Sequence, residues 1–313
     1  MIIDLATVYR KQQIESIHYG IAVLVKGNQV IKAWGDADFK CFTRSIIKPI
    51  QAKVSLSFLN EDLASEFIAI ACASHTQSEE QMKLLDEFAL KYKIDEGDLE
   101  LGLLKGSTAN SALLKSKFHH NCAGKHCLMC LAARKIENAE IGQICKPYTE
   151  ETHSLQQALI SEIKKLLDLE KNISLDIATD GCGVPTFHLS LKDMARLFVK
   201  TIANPDYERI YAAMSQHPYI IGGKDRIDSL VMAKRPKELI AKGGAEGLML
   251  ILNLKREEVL LIKIIDGSSR AKSIITKGFL EYLAWLDKDE ILVEEEILNS
   301  QGLIVGNIAF NVR

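Results

Sequence analysis

The sequence predicts an α+β fold in which an antiparallel sheet is made by both chain ends and a mainly helical lobe is inserted between them. Three observations carry this. Gly20-Ile21-Ala22-Val23-Leu24-Val25 and Gln29-Val30-Ile31-Lys32-Ala33-Trp34 are β-rich runs separated by Gly27-Asn28, a pair suited to a tight hairpin turn. Far along the chain, Gly247 to Leu254 and Val259 to Ile265 form a second pair of apolar runs, joined by Lys255-Arg256-Glu257-Glu258. Between these hairpins the apolar residues recur at helical spacing.

Helical periodicity predicts elements at about 45–59, 78–93, 125–136, 149–169, 190–202 and 205–216, with one short strand near 174–179. A further helix is expected over about 270–286, and a last strand within 299–313 after a turn at Gln301-Gly302. Residues 1–40 and 217–313 are thus assigned to the sheet part and 41–216 to the helical part, as one compact unit with a shared cleft. No internal repeat, low-complexity tract or linker interrupts the chain.

Composition narrows the function classes. With 313 residues, 47% of them hydrophobic, the chain can bury a large core, which excludes a disordered or fibrous reading. The 39 basic and 41 acidic residues nearly cancel and form no basic stripe, so nucleic acid is not an expected partner. Met1-Ile2-Ile3-Asp4-Leu5 lacks the features of a signal peptide, and charges interrupt every apolar run, so a soluble, cytoplasmic protein without a membrane partner is expected. Seven cysteines (Cys41, Cys72, Cys122, Cys127, Cys130, Cys145 and Cys182) are an odd number, which favours free thiols or a metal site over structural disulfides.

Ser45-Ile46-Ile47-Lys48 has Ser-x-x-Lys spacing, which puts both side chains on one helix face. Spacing alone decides nothing, because Ser161–Lys164 and Ser269–Lys272 share it. The first of those lies in a polar-faced helix, and Ser269 reads as a helix cap that leaves Lys272 exposed. Ser45 differs: it precedes an apolar run, and Pro49 in the first turn marks a helix start. The helix terminus favours negative charge at Ser45 and disfavours a proton on Lys48, so Lys48 is the candidate base for a Ser45 nucleophile. The same residues also suit an ordinary cap and a lysine that reaches solvent.

Four further segments concentrate polar or glycine residues. Cys72-Ala73-Ser74-His75-Thr76 offers either a capping hydroxyl or a second hydroxyl for a proton relay. His119-His120-Asn121-Cys122-Ala123-Gly124-Lys125-His126-Cys127 is the densest cluster, and Cys122, Cys127 and Cys130 match an iron–sulfur spacing. Cys127 and Cys130 lie in a buried-helix pattern, which leaves Cys122 as the better ligand candidate. Asp180-Gly181-Cys182-Gly183-Val184-Pro185 and Lys242-Gly243-Gly244-Ala245-Glu246-Gly247 are turns whose glycines would let backbone approach a ligand, or are plain turns.

Arg44-Ser45-Ile46-Ile47-Lys48-Pro49, Ala73-Ser74-His75, His120 to His126, Asp180 to Phe187, His217-Pro218 with Gly222-Gly223, Lys242 to Gly247, and Asp266-Gly267 with Arg270-Ala271 together resemble the asparaginase II family. These are serine–lysine asparaginases whose fold is similar to serine β-lactamases and glutaminases. The resemblance spans nearly the whole chain, including Gln301 to Gly306. It implies a catalytic pair at Ser45 and Lys48, a second pair at Ser74 and Lys242, and Asp180 in the substrate pocket. Arg44, His75, Asn121, Arg226 and Gly244 are further substrate-site candidates, with one of Arg44, Arg226 or Arg270 to receive a carboxylate. The resemblance also implies a zinc site made by Cys122, Lys125 and Cys182, which would organise the loops of Asn121 and Asp180, and a homodimer.

The expected activity is therefore hydrolysis of the L-asparagine side-chain amide. Gly243, where β-lactamases carry a hydroxyl residue in Lys-Thr-Gly, argues against β-lactam hydrolysis. Gln77-Ser78 departs from the Gly-Glu-like turn expected after Ser74-His75-Thr76, and no Thr-Gly-Gly-Thr signature of the threonine asparaginases occurs. The alternatives are a glutaminase or another Ser–Lys amidohydrolase, and a metal- or amino-acid-binding protein without catalysis.

Overall fold

Pairing decides strands that local sequence leaves ambiguous. The computed structural model describes residues 1–60, 62–103, 116–139, 146–291 and 293–312. β1 (Ile3–Arg10), which local pattern does not announce, is a strand because it lies between β2 (Gln13–Lys26) and β11 (Ile304–Phe310), antiparallel to both. β2 is long and has different neighbours along its length. At Gly20 it faces Ile3 on one edge and Ile264 of β9 (Glu258–Ile264) on the other. From Ala22 onward, the edge that β1 has left is taken by β3 (Gln29–Trp34). Gly20 is required there, since a Cβ would stand 2.4 Å from Leu5 Cδ1 and 2.5 Å from the Lys263 carbonyl oxygen.

β8 (Leu248–Asn253) and β7 (Leu239–Gly243) continue the sheet beyond β9, and β10 (Glu296–Leu298) flanks β11, giving the order β10-β11-β1-β2-β9-β8-β7. The sheet thus joins the two chain ends as expected. β8 is buried at every position and β9 at all but its first residue, so both faces of this region are covered. α6 (Leu191–Ile202) packs on β2 and β9, and α10 (Lys272–Tyr282) packs on β1 and β11.

The intervening part holds α1 (Lys48–Leu56), α2 (Ser65–Cys72), α3 (Glu79–Tyr92), α4 (Ala123–Glu137), α5 (Ser154–Leu166) and α7 (Glu208–Gln216). α3 starts where Ser78 and Gln81 form a reciprocal capping box. α5 starts later than its periodicity suggests, because His153 Nδ1 accepts the Leu155 N–H and caps it there. α4 is buried continuously from Ala123 to Arg134. It crosses α2 at Gly124, where a Cβ would stand 2.2 Å from the Ile70 carbonyl oxygen. A small sheet of β4 (Lys40–Phe42), β6 (Pro185–Ser190) and β5 (Ile177–Thr179) borders this part.

Two short helices, α8 (Pro218–Gly222) and α9 (Ile227–Lys234), link the helices to β7 and are not anticipated by periodicity. No helix among the described residues is long and apolar enough to cross a membrane.

Candidate active site

The expected helix start at Ser45 is a 3-10 turn, Arg44–Ile47, with α1 beginning only at Lys48. The strand ladder causes this. Thr43 N–H donates to the Phe187 carbonyl (2.9 Å) and Thr43 Oγ1 accepts from Phe187 N–H (3.3 Å), which ties the chain to β6 up to Thr43. The chain must then turn within one residue, and Arg44 does so at φ +46°, a strained conformation for a residue with a Cβ. The turn packs against the ends of β7 and β8. There Gly244 leaves room, since a Cβ would stand 3.2 Å from Ile46 Cγ2 and 3.1 Å from Leu248 Cβ. The Gly244 N–H is bonded to the Leu248 carbonyl (2.9 Å), so Gly244 contributes space rather than a free donor.

Ser45 is partly buried, and its Oγ makes no hydrogen bond among the described residues. Lys48, 1% exposed, directs its Nζ to the Ala73 carbonyl, to Ser74 Oγ (3.3 Å) and to the Asn121 carbonyl (3.5 Å). Lys242, 0% exposed at the end of β7, reaches the same Ser74 Oγ (2.9 Å) and the Gly243 carbonyl (2.7 Å). One hydroxyl therefore links two buried amines beside the Ser45 turn. Ser74 is held there by its N–H, which donates to Ile221 at the end of α8 (2.9 Å). Burial lowers Lys242 to about 7; Asp228 opposes this, and Lys48 and Arg226 reinforce it.

His75 turns away from this group. Its Nε2 bonds the His120 carbonyl (2.6 Å), its Nδ1 has no partner among the described residues, and burial lowers it to about 4. The ring is thus a neutral strut between the Ser74 and Asn121 segments. Asn121 accepts the His75 N–H on its carbonyl (3.3 Å) and the Cys122 thiol on Oδ1 (3.5 Å).

Asp180 sits in a tight turn closed by Asp180 N–H to Val184 O (2.8 Å) and Gly183 N–H to Asp180 O (2.9 Å). Its Oδ1 accepts Arg44 Nε (2.7 Å), and Arg44 also pairs with Glu246 (3.7 Å). Arg226 is exposed and forms no ion pair among the described residues, while Gly243 lies under its guanidinium, with a Cβ there 3.5 Å from Nη2.

Cys122, Lys125 and Cys182 come together, each 3–4% exposed. Lys125 Nζ lies 2.9 Å from Cys182 Sγ, and Asp180 Oδ2 lies 3.5 Å from that sulfur. The neighbouring Cys182 holds Cys122 below the usual thiol range, while Cys122 and burial push Cys182 above it. Burial would lower Lys125, but the adjacent Cys182 and Cys122 sulfurs more than offset this and raise it. Two thiols and an amine with one position open fit a zinc ion, given loss of their protons. No cluster of three or more His, Cys, Asp or Glu side chains suited to a metal occurs among the described residues. Cys127 and Cys130 are buried on α4, and burial pushes Cys130 up to about 12 and Cys127 higher still, which suits small hydrophobes rather than cluster ligands.

Two buried groups of the site carry no signal in their local sequence. Lys272, expected to be exposed, is 8% exposed and donates to the Gly244 carbonyl (2.8 Å); burial lowers it to about 8. Asp228, 1% exposed, accepts the Gly243 N–H on Oδ2 (3.1 Å). Burial of both depends on the β7–β8 turn, which lies far from each along the chain.

A profile described as L-asparaginase II matches residues 6–310. No curated protein matches the sequence. Among solved structures, a β-lactamase from Mycobacterium bovis is similar with TM-score 0.43 and 11% identity, over 84% of this chain and 94% of that one. A β-lactamase/D-alanine carboxypeptidase from Yersinia pestis has TM-score 0.49 and 14% identity, over 86% and 93%. An octameric penicillin-binding protein homologue from Pyrococcus abyssi has TM-score 0.36 and 13% identity, over 90% and 80%.

Proposed function

The chain belongs to the L-asparaginase II family, a family of hydrolases, and from that premise we propose that it cleaves the side-chain amide of L-asparagine to L-aspartate and ammonia through an acyl-enzyme on Ser45. The observation that carries this reading is the Ser74 hydroxyl bonded to both Lys48 (3.3 Å) and Lys242 (2.9 Å) beside an unbonded Ser45.

Lys48 takes the Ser45 proton while Oγ bonds to the amide carbon. The carbonyl electrons move onto oxygen, where backbone N–H groups of the turn, that of Ser45 included, stabilise the oxyanion. Collapse breaks the C–N bond. The nitrogen leaves as ammonia after gaining a proton from Lys48 by way of Ser74, with Lys242 supporting that hydroxyl. Water attacks the ester by the reverse relay, releasing aspartate and restoring Ser45. Positioned proton transfer of this kind is worth about 10²–10⁴ in rate.

The substrate's charged ends need partners. Arg44 is engaged by Asp180 and Glu246, whereas Arg226 has no anionic partner among the described residues, so Arg226 is the cation for the α-carboxylate and Asp180 the anion for the α-ammonium. Cys122, Lys125 and Cys182 would hold zinc, which when bound supplies a fixed charge that draws the Asn121 and Asp180 segments together. We further propose a cytoplasmic homodimer, a reading that stands on the sequence.

Ammonia release from asparagine and glutamine is measured in parallel for the native protein and Ser45→Ala, with intact-mass analysis for an adduct. The reading expects asparagine turnover, its loss in Ser45→Ala, and an aspartyl adduct on Ser45. Turnover by Ser45→Ala at the native rate excludes it.

A further inference from the structure

Asp228 is the second residue of α9 and is 1% exposed. One oxygen, Oδ2, accepts the Gly243 N–H (3.1 Å); the other, Oδ1, is buried with no partner among the described residues. An unpartnered buried carboxylate oxygen is costly unless positive charge surrounds it. Two glycines admit this carboxylate: a Cβ on Gly222 would stand 2.5 Å from Oδ1, and a Cβ on Gly243 would stand 3.2 Å from Oδ2. Glycine at 243, read from sequence only as a departure from Lys-Thr-Gly, leaves space for an anion approaching from α9.

The lysines facing Asp228 are Lys242 from β7 and Lys272 from α10; Arg226 at the start of α9 acts on both lysines, Lys48 and Cys122 on Lys242, and Lys263 on Lys272. Among these the carboxylate opposes the burial that lowers both lysines. A mere acceptor for the Gly243 peptide would not require charge. Asparagine would serve equally.

We propose that Asp228 is a positioning residue of the amide-hydrolysing site, a fixed negative charge that acts through Lys242 and the Gly243 peptide and so sets the proton balance at the Ser74 hydroxyl. This rests on the amidohydrolase reading, so its test includes a readout that needs no turnover.

Asp228→Asn keeps the size and the acceptor but removes the charge. Lys242 then loses its protonated form more easily. Whether the reaction needs the amine or the ammonium, the Lys242 inflection in the kcat/KM–pH profile moves down, by about one unit, with KM for asparagine changed less than about threefold. Thermal melting across the same pH range reports the same group without turnover. Lys242 is lowered to about 7 in the folded state, so stability is least below that pH and rises as pH climbs through it; in Asp228→Asn the rise begins at lower pH. Gly222→Ala, whose methyl displaces the carboxylate, is the second variant and shifts both inflections the same way. Absence of ammonia release from the native protein removes the amidohydrolase reading while melting still tests the charge. Native inflections in both variants, by rate and by melting, overturn the proposal.

Discussion

Ser74→Ala removes the atom at which the two buried amines meet. Lys242 loses a 2.9 Å bond and keeps the Gly243 carbonyl at 2.7 Å; Lys48 loses a 3.3 Å bond and keeps the Ala73 and Asn121 carbonyls. A typical hydrogen bond contributes about 1 kcal/mol net, and since both amines keep other acceptors, losing the two costs about 2 kcal/mol in all. For a chain of 313 residues that corresponds to a midpoint lowered by about 3 °C. Loss of a positioned proton carrier costs about 10²–10⁴ in kcat instead. Thermal melting and steady-state ammonia release therefore separate the two roles. If Ser74→Ala lowers Tm as expected yet turns over within about tenfold of the native rate, the hydroxyl is scaffolding and the relay is wrong.

Gly124→Ala drives a methyl to 2.2 Å from the Ile70 carbonyl, and this backbone clash costs about 1–3 kcal/mol, more than the roughly 1 kcal/mol that alanine returns in helix propensity. Urea unfolding should show net destabilisation, and a gain would remove the close α2–α4 crossing. His75 is lowered from 6.5 to about 4, so the unfolded chain binds more protons between those values and stability falls as pH drops through that window. His75→Gln should flatten this acid-side loss, which is on the order of 3 kcal/mol; an unchanged melting profile from pH 6.5 to 4 counts against a neutral strut. Cys182→Ser should cut bound zinc from about one per chain to near zero by elemental analysis, and a full complement in the variant rules out the Cys122–Lys125–Cys182 site.

Legibility followed how local the cause was. α3 could be read closely because Ser78 and Gln81 cap it and its apolar spacing lies within one segment. The second hairpin, β8 and β9, could be read because both strands and their turn are contiguous. β1 could not, since its strand character comes from β2 and β11. The Ser45 segment shows the same limit at finer scale. Its helix start was visible in Pro49, but the 3-10 turn is imposed by Thr43 pairing with Phe187, and the Lys48 contact with Ser74 comes from the segment that follows α2. Lys272 was misread because Ser269 looks like a cap, whereas the Gly244 carbonyl that receives its ammonium comes from the β7 end. Asp228 went unread because an aspartate in the first turn of a helix is ordinary. What distinguishes it is two glycines on other segments.

The succession of β1 and then β3 along one edge of β2, with β9 along the other, bears on how the molecule comes to exist. The β1–β2–β3 meander can close early in synthesis, but β9 and β11 complete the sheet only when residues 258–264 and 304–310 have left the ribosome. Until then β2 presents an open apolar edge, and the Ser45 turn lacks the β7 and β8 ends it rests on. Such non-local closure is slow. A nascent chain stalled before β7 should therefore hold all of the helices from α1 to α7 yet no assembled Lys48–Ser74–Lys242 group. Premature termination there would release a sticky fragment rather than a weakened enzyme.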